Sequence, residues 1–229
     1  MIETAQDLLQ VKAAVNGARE AIADSGRDVF LMAQVTVETT GTMLVGSEIG
    51  AALNAIYDLG IDSIGLNCAT GPAEMSEHLR YLSLHSPVAI SVMPNAGLPV
   101  LTSDGASYPL GPTELGRYLA NFVKEYRVSI VGGCCGTTPE HLRAVVAELE
   151  GKKALTSSSR VIEKDVGLSS IYSFVPFKQD AAYLAIGERT NANGSKAFRD
   201  ALLAEDWQAC IDIAKNQISE GAHLLDLSV

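Results

Sequence analysis

The sequence is poor in positive charge. Its 229 residues hold 17 Lys and Arg against 27 Asp and Glu, which gives a formal net charge of −10 at pH 7. Proteins that bind nucleic acid neutralise its phosphates with clustered Lys and Arg, and this sequence has no basic cluster. We therefore expect no nucleic acid among its partners.

Long hydrophobic runs and a secretory leader are missing as well. No apolar stretch approaches the roughly 20 residues of a membrane-spanning helix, and residues 1–7 lack the basic and apolar regions of a signal peptide. The chain has only four cysteines, two of them adjacent, which is not the pattern of a secreted disulfide framework. These absences predict no membrane partner and a reducing, cytoplasmic location.

What the sequence does contain is an alternation of apolar runs and amphipathic stretches. Runs rich in strand-forming residues occupy positions 29–37, 61–67, 87–93 and 127–132, and residues 1–4 read as the end of another strand. Strands about 30 residues apart with helices between them predict an α/β fold with a parallel sheet. The inward helix faces are predicted to carry Leu8, Val11, Val15, Ala18 and Ile22; Ile49, Leu53 and Ile56; Met75, Leu79 and Leu82; Leu115, Leu119, Phe122 and Tyr126; and Leu142, Val145, Val146 and Leu149.

The pattern changes after the helix that ends near Gly151. Residues 151–180 show no sustained period and are predicted to be irregular. A strand is expected at residues 182–186, followed by a helix and an apolar run at residues 224–229. The inward face of that helix is predicted to carry Trp207, Ile211, Ala214 and Ile218.

Three cysteines lie where predicted strands end. Cys68 follows one apolar run, and Cys134 and Cys135 follow another between flanking glycines. A disulfide between adjacent cysteines at a strand end would be strained, whereas thiolates on a backbone that is free to bend are suitable zinc ligands. The sequence therefore predicts a zinc site of Cys68, Cys134 and Cys135 with one coordination position open.

A simpler interpretation treats these cysteines as small buried core residues, since free cysteine is often buried. Cys210 provides the comparison, because it lies on a predicted helix without flanking glycines and is expected in the core. The histidines are not predicted to be ligands or bases. Their expected places are solvent-facing helix positions for His78 and His141, a helix end for His85 and the vicinity of a strand for His223.

Several motifs carry a family signal in a fixed order along the chain. They are Ile2-Glu3-Thr4, Gly65-Leu66-Asn67-Cys68 with Gly71-Pro72, Pro94-Asn95-Ala96-Gly97-Leu98-Pro99, Gly132-Gly133-Cys134-Cys135-Gly136-Thr137-Thr138-Pro139, and Gly187-Glu188-Arg189-Thr190-Asn191 with Gly194-Ser195. Together they resemble the cobalamin-dependent methionine synthase family.

The resemblance implies a (β/α)8 TIM-barrel fold and a division of the chain. Residues 1–151 would be the C-terminal part of a homocysteine-binding zinc barrel, residues 152–181 a linker, and residues 182–229 the truncated start of a pterin- or folate-binding barrel. The chain would then be an internal fragment that is inactive alone. Its partner would be the cobalamin-binding domain of the full-length enzyme.

The resemblance also implies a chemistry. Cys68, Cys134 and Cys135 would hold Zn²⁺, and homocysteine would complete the zinc shell as a thiolate. That thiolate would accept a methyl group from methylcobalamin, itself regenerated from 5-methyltetrahydrofolate, to give methionine. Glu3 would meet the substrate ammonium or would simply be a polar residue at the mouth of the barrel, and Asn67 would orient Cys68.

The second barrel contributes further expected contacts. Glu188, Arg189, Thr190 and Asn191 would face the pterin site, although Glu188 and Arg189 could equally form an ion pair. Asp226 would be a scaffold residue, and the segment around Asn95 is predicted to be a rigid turn without a chemical role. Two other functions stay open. One is a cobalamin-independent homocysteine S-methyltransferase, and the other is a non-enzymatic zinc or thiol module.

Overall fold

The computed structural model describes residues 1–103, 105–152, 162 and 165–229. They form two compact units. One unit contains the described residues from Met1 to Ile162 together with Ser169–Phe174, and the other contains Asp165–Leu168 and Val175–Val229. The predicted linker at residues 152–181 therefore lies partly outside the described residues.

The first unit alternates strands and helices. Its strands are β1 (Ile2–Ala5), β2 (Met32–Val35), β3 (Ser63–Asn67), β4 (Ala89–Met93), β5 (Val100–Thr102), β6 (Gly105–Ser107) and β7 (Ile130–Val131). Its helices are α1 (Leu8–Ser25), α2 (Ile49–Ile56), α3 (Pro72–His85), α4 (Pro112–Glu125) and α5 (Pro139–Leu149), with a 3-10 turn at Tyr57–Leu59. β2, β3, β4 and β7 lie within the predicted apolar runs and are shorter than them, and β1 extends one residue beyond its run, to Ala5. No strand was predicted where β5 and β6 lie.

Five strands form a parallel sheet in the order β1-β2-β3-β4-β7, so each strand lies beside its neighbours in the chain. This confirms the predicted α/β fold with a parallel sheet. The remaining pair, β5 and β6, forms an antiparallel hairpin between β4 and α4. In a parallel sheet the carboxyl ends of the strands meet at one edge, where the loops after β1, β3, β4 and β7 come together.

The two faces of this sheet have different chemistry. Ile64, Leu66 and Val92 belong to the buried core that includes the helices. The alternate positions carry polar side chains, because Gln34 and Ser91 are the partners of Gly65 on the two neighbouring strands. A Cβ atom on Gly65 would lie 2.1 Å from the Ser91 carbonyl oxygen, so only glycine fits there.

Most predicted helix faces are confirmed, but the face of α5 is wrong. Val145 is buried as expected, whereas Leu142 and Val146 are exposed and His141 is buried instead. The face that packs inward is rotated by one position, because α5 packs closely against α4. A Cβ atom on Gly116 of α4 would lie 3.1 Å from the Ala144 carbonyl oxygen.

The part of the chain that was predicted to be irregular contains two short strands, β8 (Gly167–Ser169) and β9 (Phe174–Pro176), in a sheet of their own. The Ser47 hydroxyl donates to the Ile171 carbonyl within the first unit, and the Glu48 amide donates to the Tyr172 carbonyl at 2.7 Å. Residues 169–174 are thereby attached to the loop before α2.

The second unit holds the parallel pair β10 (Ile186–Gly187) and β11 (Leu224–Leu225) with α6 (Lys196–Leu203) and α7 (Trp207–Ser219). Of the strand expected at residues 182–186, only Ile186 lies in a strand, and Tyr183 is 94% exposed. The inward face predicted for α7 is also wrong. Trp207, Ile211 and Ile218 are exposed while Gln217 is buried, because two strands of two residues give that face little to pack against.

Among the described residues, no helix combines the length and the hydropathy that crossing a membrane would require.

Candidate metal centre

The three predicted cysteine ligands come together at the carboxyl edge of the sheet. Cys68 follows β3, Cys134 and Cys135 follow β7, and their sulfur atoms all lie within 4.8 Å of one another. The Cys68–Cys135 sulfur distance is 3.7 Å and the Cys134–Cys135 distance is 3.9 Å. Tetrahedral zinc with bonds of about 2.3 Å requires sulfur atoms about 3.8 Å apart. These two distances match the edges of a zinc tetrahedron, and the third pair, Cys68 and Cys134, lies within 4.8 Å.

The backbone after β3 is strained where it presents Cys68. Cys68 and Ala69 have φ angles of 62° and 58°, in the left-handed region that residues with a Cβ atom seldom adopt. Each such residue costs on the order of 1–3 kcal/mol, which the surrounding contacts must offset. The Cys68 amide donates to the Met93 carbonyl at 3.2 Å, and the Thr70 amide donates to the Cys68 carbonyl at 2.7 Å.

The segment after β4, residues 93–96, supports both cysteine loops. Besides the Met93 contact with Cys68, the Cys134 amide donates to the Pro94 carbonyl at 2.8 Å and the Ala96 amide to the Cys135 carbonyl at 2.9 Å. The buried Asn95 side chain accepts from the Cys135 amide at 3.1 Å. This segment was predicted to be a rigid turn without a chemical role, and its task of holding all three cysteines was missed.

The glycines beside the cysteine pair are required by close contacts. A Cβ atom on Gly133 would lie 2.3 Å from the Thr137 hydroxyl oxygen. Gly136 has a φ angle of 77°, and its Cβ atom would lie 2.3 Å from the Tyr108 ring. This confirms that the glycines let the backbone bend around the cysteines.

Tyr108 follows the β5–β6 hairpin and lies beside the sulfur atoms, and no sequence pattern indicated this position. Its hydroxyl hydrogen-bonds with Cys135. Burial raises the pKa of Tyr108, and the hydrogen bond and the charges of the three cysteines raise it further. The phenol is therefore a hydrogen-bond donor to sulfur at neutral pH.

Without a metal, the Cys68 thiol holds its proton at neutral pH. The pKa of Cys68 is raised from 9.0 to about 12, and burial is the main cause. The hydrogen bond with the Ala69 backbone lowers it, and the neighbouring Cys135 and Cys134 contribute to the increase. A bound divalent cation reverses this balance, since coordination removes the thiol proton. The donor set of three sulfur atoms suits zinc.

Asn67 was expected to orient Cys68, and its side chain instead contacts Cys134 and Thr4. The Asn67 Nδ2 atom lies 3.8 Å from the Cys134 sulfur and 2.9 Å from the Thr4 hydroxyl, and Oδ1 accepts from the Thr4 amide at 2.8 Å. Asn67 is buried, as the last residue of β3. Glu3 precedes Thr4 in β1 and is exposed, and its substrate contact stays a prediction.

The expectation that His141 faces solvent is wrong. His141 is buried, and its Nδ1 atom accepts from the Thr138 amide at 3.2 Å in a capping box at the start of α5. Its Nε2 atom then carries the proton and donates to the Leu110 carbonyl at 2.9 Å. The sequence predicted that a helix starts at Thr138 but did not indicate that His141 caps it. The usual residue at this position of a capping box is Glu or Gln.

The other histidines lie outside the cysteine cluster. His78 was also expected to face solvent but is half-buried, and burial lowers its pKa while Glu77 raises it. His85 ends α3, as predicted, and stacks on Tyr81 with ring centroids 4.3 Å apart. His223 adjoins β11 and accepts from the Ala185 amide at 3.1 Å. Cys210 is half-buried on α7.

The predicted pterin-side residues follow β10 in the second unit. The Thr190 hydroxyl donates to the Asp226 carbonyl at 2.6 Å, and the Asn191 side chain donates to the Asp226 carboxylate at 2.9 Å. The Arg189 amide donates to Gln217 at 2.6 Å. Glu188 and Arg189 are exposed, and the ion pairs found among the described residues do not join them. The ends of the two strands are thus tied together through Asp226.

The fold and the cysteine cluster define an α/β protein with three thiols that could hold a soft metal at the carboxyl edge of a parallel sheet. The family model described as homocysteine S-methyltransferase matches residues 1–149, and the chain belongs to that family. A second model, described as pterin binding enzyme, matches residues 187–229.

Two curated relatives bear the name methionine synthase. The chain is 61% identical over 229 residues to that of Mycobacterium tuberculosis (strain ATCC 25618 / H37Rv) and 58% identical over 231 residues to that of Mycobacterium leprae (strain TN). Each match covers 100% of this chain and 19% of the relative, so the chain spans about a fifth of their length. The resemblance indicated by the motifs is confirmed.

Proposed function

We propose that this chain carries the zinc–thiolate centre of a methionine synthase. In the whole enzyme, homocysteine would accept a methyl group from methylcobalamin, which 5-methyltetrahydrofolate would regenerate, and methionine would be formed. The observation that carries the proposal is the spacing of the three sulfur atoms, which is 3.7 Å between Cys68 and Cys135 and 3.9 Å between Cys134 and Cys135. The two methionine synthase relatives support it.

The residues of this chain would hold and activate the acceptor thiol. Cys68, Cys134 and Cys135 would bind Zn²⁺ through three sulfur atoms and leave the fourth position to the homocysteine sulfur. The chemistry that zinc supplies there is removal of the thiol proton, so that the substrate is held as a nucleophilic thiolate. Glu3, at the same edge of the sheet, would pair with the substrate ammonium.

We further propose that residues 1–151 are the C-terminal part of a (β/α)8 barrel, that 152–181 are a linker, and that 182–229 begin a pterin-binding barrel. The pairing of each strand with its neighbours in the chain supports a barrel, as do the two family-model ranges. Glu188, Arg189, Thr190 and Asn191 would contribute to the pterin side. The location would be cytoplasmic, and a cobalamin-binding domain would be the partner.

Zinc titration of the full chain tests this function. The metal-free protein should bind one equivalent of Zn²⁺, and zinc-edge X-ray absorption should report three sulfur ligands from the protein. Adding homocysteine should raise the sulfur count by one. Cys134→Ser should weaken zinc binding by orders of magnitude, whereas the matched variant Cys210→Ser should bind zinc like the parent chain.

The same experiment separates the alternative functions. If the number of sulfur ligands on zinc does not change when homocysteine is added, the methyltransferase proposal is refuted and a zinc or thiol module is favoured. A cobalamin-independent S-methyltransferase would share the response to homocysteine but would not need a pterin site. The pterin-binding match at residues 187–229 favours the cobalamin-dependent reaction over it.

A further inference from the structure

Thr4 has a backbone conformation that calls for a physical cause. It lies at the carboxyl end of β1 with a φ angle of 54°, which is unusual for a β-branched residue. The register explains how this is possible. Ile2 pairs with Ala33 and Ala5 pairs with Val35, so β1 advances three residues while β2 advances two. The irregularity turns the Thr4 amide away from β2 and towards Asn67.

The contacts of Thr4 determine which way the Asn67 amide points. A backbone N–H can only donate, so the Asn67 atom that lies 2.8 Å from the Thr4 amide must be the oxygen. The other atom is then the NH₂ group, whose two hydrogens serve the Thr4 hydroxyl at 2.9 Å and the Cys134 sulfur at 3.8 Å. A flipped amide would place its oxygen against a sulfur that is anionic when it binds metal.

We propose that Thr4 and Asn67 act as a positioning pair for Cys134, in which Thr4 fixes the Asn67 amide so that an N–H group faces the Cys134 sulfur. The inference rests on the proposed zinc centre and deepens it. An N–H group that faces the Cys134 sulfur draws electron density from it and so reduces the electron density that Cys134 donates to the metal.

The three sulfur atoms thus have different neighbours. Cys134 faces the Asn67 amide, Cys135 faces the Tyr108 hydroxyl, and Cys68 follows the strained turn after β3. Loss of the positioning pair should therefore change one metal–sulfur bond of the three. Asn67 is 1% exposed, so solvent cannot replace its N–H group without a rearrangement.

The test uses the full chain loaded with Co²⁺, a spectroscopic substitute for Zn²⁺, together with zinc affinities from chelator competition. Asn67→Leu removes the donor at similar volume, and its matched control, Asn121→Leu, makes the same change on the exposed face of α4. Thr4→Val removes the hydroxyl but keeps the β-branch, and Thr4→Ser restores a hydroxyl.

Asn67→Leu should shift the sulfur-to-cobalt charge-transfer band to longer wavelength, since a sulfur without its donor is easier to oxidise. It should also weaken zinc binding by about 10- to 100-fold, the usual range for groups that orient metal ligands. Thr4→Val should change both readouts in the same direction by a smaller amount. Thr4→Ser and Asn121→Leu should match the parent chain.

An unchanged cobalt band and zinc affinity in Asn67→Leu would overturn the inference, as would a variant that lost only its response to homocysteine. If thermal melting of the metal-free protein shows that Asn67→Leu does not fold, the pair Thr4→Val and Thr4→Ser decides the question. A parent chain that binds no zinc would refute the proposed function itself. A parent that binds zinc, with variants indistinguishable from it, would refute only the positioning pair.

Discussion

Replacing Gly136 with alanine should destabilise the first unit and disturb the cysteine pair at the same time. Gly136 has a φ angle of 77°, and a Cβ atom there would lie 2.3 to 2.6 Å from three atoms of Tyr108. The left-handed conformation costs alanine about 1–2 kcal/mol. Forcing a well-packed side chain aside costs roughly 1–3 kcal/mol more. We therefore expect Gly136→Ala to lower the free energy of unfolding by about 2–5 kcal/mol.

A second glycine separates the two contributions. Gly26, at the end of α1, has a similar φ angle of 63°, but a Cβ atom there would meet nothing within 4 Å. Gly26→Ala should therefore cost only the conformational part, about 1–2 kcal/mol. The difference between the two variants measures the contact with Tyr108.

Urea unfolding of the metal-free chain, followed by circular dichroism, gives both free energies, and chelator competition gives the zinc affinity of each variant. Because the Tyr108 hydroxyl hydrogen-bonds with Cys135, displacing the ring should also weaken zinc binding. This loss is expected in Gly136→Ala and not in Gly26→Ala. Equal unfolding free energies and equal zinc affinities for the two variants would refute the argument. They would mean that Tyr108 does not pack on Gly136 in solution.

Three further predictions concern Tyr108 and two histidines. Tyr108→Phe should weaken zinc binding about 2- to 10-fold by chelator competition, as expected for one neutral hydrogen bond, and should leave the melting temperature unchanged. His141→Ala should lower the free energy of unfolding in urea by about 1–3 kcal/mol, because it removes a helix cap and a buried hydrogen bond. Leu142→Ala, at the exposed neighbouring position, should lower it by less than about 1 kcal/mol. Equal losses in the two variants would argue against the corrected face of α5. Burial lowers the pKa of His78 from 6.5, so the unfolded chain binds its proton more readily than the folded one. The stability that this adds is present above pH 6.5 and is lost as the pH falls through the lower folded pKa. The urea midpoint of the parent chain should therefore fall on acidification from pH 7.5 to 5.5, and His78→Gln should flatten part of that fall.

The meeting of the three cysteines was predictable because their sequence signals are local and one simple rule of the fold brings them together. Cys68 and the pair Cys134-Cys135 each follow a strand and lie near glycines. Parallel strands bring their carboxyl ends to one edge, so residues 66 positions apart could be expected to meet (134 − 68). No knowledge of side-chain packing was needed for that step.

The groups that orient the cysteines were not predictable in the same way. Thr4 reaches Asn67 only because β1 slips by one residue against β2, and a register irregularity of that kind has no sequence signature here. Tyr108 follows a hairpin whose direction depends on tertiary contacts. Asn95 did carry a signal, since it is an amide just after a buried strand, but it was interpreted as a turn residue.

Hydrophobic spacing predicted that α5 and α7 exist but not which side of each is buried. In α5 the spacing of Leu142 and Val146 is as helical as that of His141 and Val145. The choice between these faces depends on the fit against α4, where Gly116 allows a close approach. In α7 a polar residue, Gln217, is buried because it completes the hydrogen bonding of Arg189.

The segment at residues 93–96 supplies none of the three cysteines, yet the backbone of each cysteine is hydrogen-bonded to it. It therefore acts as a spacer whose length determines whether the sulfur atoms can reach one metal. An insertion or deletion of one residue there would separate the ligands while leaving every cysteine in place. In comparing related sequences, intact cysteine motifs are consequently not enough to identify a working centre, and the length of this segment has to match as well.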